Sequence, residues 1–238
     1  MLWSHPVLGC VLLFNYMWYN VSIGNNKYGT VSNPFLDVVH LDPEVVARLN
    51  EEHPRGLLVM SNHHNFHDPQ LITSLARDIE IVARYDFTTL MGIPIWLAQY
   101  SGMYKKIIQY RRGDQKSGEY VKQKIVEHAK NKKAILVFPT GTSTKVDDVS
   151  IYATKLRSGV FETAAEHCIP IMCLYLNYDR EIGYSRAAGD KIMNAIKIHS
   201  ATRVQIRRSI YIDVPDSHTQ DTIREFLRTE AMRRRDAW

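Results

Sequence analysis

Residues 57–69 read Leu-Leu-Val-Met-Ser-Asn-His-His-Asn-Phe-His-Asp-Pro, an apolar run that passes directly into a polar turn. A short apolar run bounded by turn residues is typical of a buried strand. Pro69 is at the start of the next apolar pattern, where proline favours the first turn of a helix. Strands that alternate with helices form a mainly parallel sheet, and its functional groups collect where the strands end.

The same alternation continues along the chain. Further strands are predicted at Asp37–Leu41, Ile79–Ala83, Ile107–Tyr110, Ala134–Phe138, Pro170–Leu176 and Val204–Tyr211. Helices are predicted at Asp42–Glu51, Pro69–Ala76, Thr88–Tyr100, Lys116–Asn131 and Arg157–His167, with a last helix that carries Ile223, Phe226 and Leu227. We therefore expect an α/β domain over residues 36–238, with a mainly parallel central sheet flanked by helices.

The amino-terminal segment has a different composition. Apart from His5, residues 1–26 contain no ionisable side chain, and Trp3, Trp18 and Tyr19 are types that settle at the headgroup level of a bilayer. Residues 22–35 are rich in Asn, Gly and Ser and are typical of a connector. The sequence predicts that residues 1–35 form a membrane-associated helix and its connector. A helix buried against the domain is the alternative.

Net charge and cysteine spacing indicate the class of binding partner and the cellular compartment. The net charge of +5 suits anionic partners such as membrane phosphates or phosphorylated substrates, and no nucleic-acid-binding module is present. The three cysteines have neither disulfide-framework nor zinc-site spacing, which indicates a reducing compartment.

The polar turn after the first buried strand holds three histidines and an aspartate, and it admits three interpretations. His63 and Asp68 could act as a general base and the carboxylate that orients it, which suits acyl transfer to an alcohol. His63, His64, His67 and Asp68 are also metal-ligand types. The third interpretation is a surface histidine cluster. These residues alone do not decide between them.

Four motifs then occur in order, and together they resemble the glycerophospholipid acyltransferase family from about Leu57 to Leu176. They are Asn62-His63 through Asp68; a strand that leads into Arg111 and Arg112; Phe138-Pro139-Thr140-Gly141-Thr142, with Arg157-Ser158-Gly159 after it; and Ile169-Pro170-Ile171-Met172-Cys173-Leu174.

The resemblance implies a reaction and its participants. His63 would be the base and Asp68 its partner, with no metal or other cofactor. The acyl donor would be acyl-CoA or acyl carrier protein, and a thioester needs no covalent acyl-enzyme. The acceptor would be a lysophospholipid, in the first place lysophosphatidate, which becomes phosphatidate in phospholipid biosynthesis. The catalytic domain would lie on a membrane and face the cytosol.

The residues expected to bind substrate are Asn62, Arg111 or Arg112, Pro139, Thr140, Gly141, Thr142 and Arg157. Among them, Arg111 or Arg112 and the turn Pro139–Thr142 would hold the acceptor's phosphate. The family's third motif usually has Glu and Arg where this chain has Thr140 and Ser143, a departure that bears on the acceptor more than on the reaction.

Several alternatives stay open. The acceptor could be another lysophospholipid or glycerol 3-phosphate, or the reaction could be transacylation between phospholipids. A metal-dependent hydrolase built on His63, His64, His67 and Asp68 is the rival enzyme class. A non-catalytic lipid-binding protein is the third possibility, although the intact His63/Asp68 pair argues against it.

Overall fold

The structure is a computed structural model, which describes residues 32–33, 36–64, 68–76, 79–84, 107–111, 113–141, 149–154, 156–179 and 202–233. The predicted helix at the amino end and the predicted helix Thr88–Tyr100 lie outside these residues. None of the described helices is both long enough and apolar enough to cross a bilayer.

The described residues form ten strands and six helices. The strands are β1 (Ser32–Asn33), β2 (Leu36–Leu41), β3 (Leu57–Ser61), β4 (Ile79–Arg84), β5 (Ile107–Tyr110), β6 (Ala134–Val137), β7 (Ile171–Leu174), β8 (Asn177–Tyr178), β9 (Thr202–Ile206) and β10 (Ser209–Ile212). The helices are α1 (Pro43–Asn50), α2 (Asp68–Leu75), α3 (Gln115–Lys130), α4 (Ser150–Thr154), α5 (Ser158–Glu166) and α6 (Thr219–Arg233).

The larger sheet has six strands in the order β10-β7-β3-β6-β4-β5. All its neighbours are parallel except β10, which pairs antiparallel with β7. Every residue of β3 is buried, because a central parallel strand is covered on both faces. Leu57 and Val59 enter one apolar core, and Leu58 and Met60 enter the other. The predicted mixed α/β fold with a mainly parallel sheet is therefore confirmed.

A second, four-stranded sheet was not predicted. Its order is β1-β2-β9-β8, and β1 lies in the segment that the sequence assigns to a connector. The predicted single strand Val204–Tyr211 is wrong, because the chain leaves β9 in the small sheet and enters β10 in the large sheet. Arg207 and Arg208 are exposed at this crossing, whereas Val204 and Ile206 are buried in the core.

The predicted strand Pro170–Leu176 is divided in the same way. It ends at Leu174 in the large sheet, and the chain then forms β8 in the small sheet. Tyr175 N donates to Arg208 O at 3.4 Å, which ties this crossing to the one between β9 and β10. The two sheets are thus joined where β8 begins.

Local signals explain the helix starts. Asp42 accepts from Glu44 N at 2.9 Å and caps α1, whose first residue is a proline. Asp114 caps α3 in the same manner through Lys116 N at 3.1 Å. On α3, the four-residue spacing of Val121, Ile125 and Ala129 predicts one apolar face. Val121 and Ile125 are buried there, Ala129 is half-buried, and His128 is buried beside them. Helix α4 was not predicted.

Candidate active site

His63 and Asp68 face each other across the turn between β3 and α2. His63 lies two residues beyond the end of β3, and Asp68 is the first residue of α2. His63 Nδ1 is 3.0 Å from Asp68 Oδ2. Because a carboxylate can only accept, Nδ1 carries the proton, and in the neutral imidazole Nε2 then has the lone pair. In this tautomer the imidazole can take a proton from a hydroxyl group at Nε2.

The Asp68 carboxylate is fully buried and accepts hydrogen bonds on both oxygens. Oδ2 also accepts from the His64 backbone N–H at 2.6 Å, and Oδ1 accepts from the Tyr178 hydroxyl. Burial by itself would raise the pKa of this carboxyl, but the hydrogen bond and charge of His63, with the Tyr178 hydrogen bond, hold the Asp68 pKa below its ordinary value. The carboxylate is therefore charged and fixed in orientation.

The two adjacent histidines have different surroundings. Asn62 Oδ1 accepts from Leu176 N at 2.7 Å, so the amide nitrogen is the end that lies 2.6 Å from His64 Nε2. His64 Nε2 is then an acceptor and carries no proton. His64 is only 1% exposed, whereas the His63 side chain is 19% exposed. A substrate hydroxyl can therefore reach His63 and not His64.

The sequence predicts that Asn62 contacts the substrate, whereas in the structure its side chain forms hydrogen bonds within the protein. Its side chain is fully buried, accepts from Leu176 N and donates to Leu176 O at 2.8 Å. These contacts tie the end of β3 to the chain just before β8. They favour a positioning role for Asn62 over direct substrate binding.

The third motif forms a tight turn beside His63. The Phe138 and His63 rings are stacked, with centroids 4.3 Å apart and planes at 27°. Gly141 N donates to Phe138 O at 2.9 Å, and Gly141 has a φ of +64°, which favours glycine. Pro139 and Thr140 are buried within this turn. The turn thus brings its aromatic side chain to the proposed base.

The second motif and Arg157 meet the same turn. Arg157 N donates to Pro139 O at 2.9 Å, and the Tyr110 hydroxyl donates to Gly141 O at 3.4 Å. A Cβ atom at Gly141 would lie 3.2 Å from Arg157 Nε and 3.8 Å from the Tyr110 hydroxyl. Arg111, the next residue after β5, is exposed. Arg112 and Thr142, which the sequence also predicts as binding residues, lie outside the described residues.

Two of the residues proposed as metal ligands, His64 and Asp68, form hydrogen bonds within the protein. Asp68 Oδ2 is engaged by His63 and by the His64 backbone, and His64 Nε2 faces Asn62. Within the described part of the chain, no group of three or more His, Cys, Asp or Glu side chains is arranged to hold a metal ion. His67, the fourth proposed ligand, is outside that part.

Two residues at this site were not predicted. Tyr178 donates to Asp68 from 110 positions further along the chain, and no local pattern marks it. Phe138 was noted only as part of the third motif. Phe138 lies directly after β6 and directly before the Pro-x-Gly turn. This position at the end of a strand is the signal that could have assigned it to the site.

Comparisons with known proteins show the family of this chain. The family model described as Acyltransferase matches residues 43–177, which is more than half of the chain. The structure is similar to the crystal structure of the 1-acyl-sn-glycerophosphate (LPA) acyltransferase PlsC from Thermotoga maritima, with a TM-score of 0.55 and 15% sequence identity over 100% of this chain and 85% of that one. No curated protein sequence is significantly similar. The match over residues 43–177, which contain the His63/Asp68 pair and the turn beside it, shows that the chain belongs to the acyltransferase family.

Proposed function

We propose that this acyltransferase moves a fatty acyl group from an acyl thioester, acyl-CoA or acyl carrier protein, to a hydroxyl group of a glycerolipid. The observation that carries the proposal is the hydrogen bond from His63 Nδ1 to the buried Asp68 carboxylate, 3.0 Å long, within the family domain. His63 is the general base and Asp68 orients it. The reaction needs no cofactor beyond the acyl donor.

The reaction follows from the tautomer of His63. Nε2 takes the proton of the acceptor hydroxyl as its oxygen attacks the thioester carbonyl carbon, and the charged imidazole is stabilised by Asp68. The tetrahedral intermediate collapses when the carbon–sulfur bond breaks. The leaving thiolate takes the proton back from Nε2, so the base is regenerated and the products are an ester and a free thiol.

We propose lysophosphatidate as the acceptor, with phosphatidate as the product. The LPA acyltransferase named above, which has a similar fold, supports this choice. Arg111 or Arg112, Arg157 and the turn Pro139–Thr142 would hold the phosphate, because guanidinium groups and turn donors suit a phosphate dianion. Thr140 and Ser143 bring no charge where the family usually has Glu and Arg, so another lysophospholipid or glycerol 3-phosphate remains the nearest competing acceptor.

We also propose that the protein works on a membrane with its catalytic domain facing the cytosol. The apolar residues 1–26 and the positive net charge support this, since anionic lipid attracts basic proteins and the acceptor itself is a lipid. Removal of residues 1–20 should reduce sedimentation with anionic vesicles. Undiminished sedimentation would contradict the assignment of the anchor to this segment.

The decisive experiment measures transfer from labelled acyl-CoA by the purified full chain. The acceptor panel contains lysophosphatidate, other lysophospholipids and glycerol 3-phosphate. His63→Ala should lose about 100- to 10,000-fold in rate, the range for a general base, and the matched control is His218→Ala, an exposed histidine near the last helix. Full activity of folded His63→Ala would refute the mechanism. Loss of activity with a chelator would instead favour the metal-dependent hydrolase.

A further inference from the structure

Tyr178, in strand β8 of the small sheet, contacts the Asp68 carboxylate. Its side chain is fully buried, and its hydroxyl donates to Asp68 Oδ1, whereas His63 Nδ1 faces Oδ2. The Tyr178 ring also meets the edge of His64, with centroids 5.9 Å apart. Tyr178 therefore contacts the His–Asp pair through the buried carboxylate of Asp68.

The backbone around Tyr178 is held at two points. In β8, Tyr178 pairs with Val204 of β9, and β9 pairs in parallel with β2. Just before β8, Leu176 exchanges two hydrogen bonds with the Asn62 side chain, at 2.7 and 2.8 Å. Asn62 is the residue that precedes His63. The position of the Tyr178 hydroxyl is thus fixed relative to the turn that carries the base.

We propose that Tyr178 is a positioning residue for acyl transfer, which holds the Asp68 carboxylate in the orientation that His63 needs. This inference rests on the function proposed above and extends it, because it assigns the second sheet a part in catalysis. Tyr178 does not touch the substrate. It acts through Asp68, and Asp68 acts through His63.

The effect on reactivity follows from how the carboxylate is shared. A hydroxyl that donates to Oδ1 draws negative charge toward that oxygen and prevents the carboxylate from rotating away from His63. Without that donor, Oδ1 loses a charge-assisted hydrogen bond in a buried site. The carboxylate is then less well oriented, so it stabilises less well the imidazolium that forms on His63 during proton transfer.

The test is Tyr178→Phe in the full chain, which keeps the ring and removes only the hydroxyl. We expect kcat to fall about tenfold and the Michaelis constants of both substrates to stay unchanged. The matched control is Tyr152→Phe, a buried tyrosine in the core on the other face of the large sheet. A merely structural role would lower thermal stability in both variants and leave kcat per folded molecule at the wild-type value.

His63→Ala is measured in parallel so that the two ideas can fail separately. An inactive His63→Ala beside a Tyr178→Phe with wild-type kcat would overturn only the role of Tyr178. An active His63→Ala would overturn the proposed function itself. If Tyr178→Phe does not fold, fluorotyrosine at position 178 keeps the packing and has a more acidic hydroxyl. Because a more acidic hydroxyl donates a stronger hydrogen bond to Asp68, kcat should change while the Michaelis constants stay at their wild-type values, and an unchanged kcat would overturn the proposal.

Discussion

The His63 and Phe138 rings stack at a centroid distance of 4.3 Å, and this contact joins the first sequence motif to the third. The two residues follow neighbouring parallel strands, β3 and β6, which are in register at Met60 and Val137. Since Phe138 covers one face of the imidazole and Asp68 holds its Nδ1 edge, the ring has one orientation. The lone pair on Nε2 therefore has a defined direction.

We predict that Phe138→Leu lowers kcat by about 3- to 10-fold, because a stacked aromatic pair contributes about 0.5–1.5 kcal/mol beyond its buried area. The control is Phe161→Leu, which removes a buried ring from the core on the opposite face. Both variants should lose stability in thermal unfolding. Steady-state kinetics per folded molecule would contradict the prediction if the two variants were equally active.

The Asp68 carboxyl should make stability depend on pH. Because its pKa is lower in the folded protein than in the unfolded chain, the ionised carboxylate stabilises the fold above about pH 4, the ordinary value. That contribution is lost as the pH falls through the folded-state pKa. The difference in unfolding free energy between wild type and Asp68→Asn should therefore shrink on acidification from about pH 6 to pH 3.

Urea denaturation at several pH values measures this difference. Glu162→Gln, at an exposed helix position, serves as the control for the loss of an ordinary carboxyl group. A gap between wild type and Asp68→Asn that stays constant over the whole range would show that ionised Asp68 does not contribute to stability.

Gly141→Ala should destabilise the protein by about 1–2 kcal/mol, because alanine is strained at a φ of +64°. Its Cβ would also lie 3.2 Å from Arg157 Nε, so the Michaelis constant of the acceptor should rise. Gly118→Ala is the control, since it lies in α3 with open space around it. That change should stabilise the helix by about 0.5–1 kcal/mol. Opposite signs in thermal unfolding are expected, and a neutral Gly141→Ala would refute the strain argument.

The phosphate pocket predicts a separation of the two substrates. A charge-assisted contact contributes about 1.5–3 kcal/mol, so replacing the responsible arginine by alanine should raise the acceptor's Michaelis constant about 10- to 100-fold and leave that of acyl-CoA unchanged. The residues to change are Arg111, Arg112 and Arg157. Arg228→Ala, on the exposed side of α6, is the control. If no variant affects any phosphorylated acceptor, the pocket assignment is wrong even where the His63 chemistry holds.

Much of the fold was predictable because its signals are local. The run Leu57–Met60 predicted β3, the Asp42-Pro43 pair predicted the start of α1, and the spacing of Val121 and Ile125 predicted the buried face of α3. Apolar runs, caps and helical periodicity depend only on near neighbours. His63 and Asp68 are also five positions apart, so their proximity required only a turn.

The tertiary structure decided what depends on distant parts of the chain. The residues around β8, β9 and β10 look like two continuous strands, and only the presence of two sheets shows where each must be divided. His63 and His64 are chemically equivalent in the sequence, and the contact of Asn62 with Leu176, 114 positions away, distinguishes them. Tyr178 reaches Asp68 for the same reason, since burial and hydrogen bonding across a core are set by packing rather than by spacing along the chain.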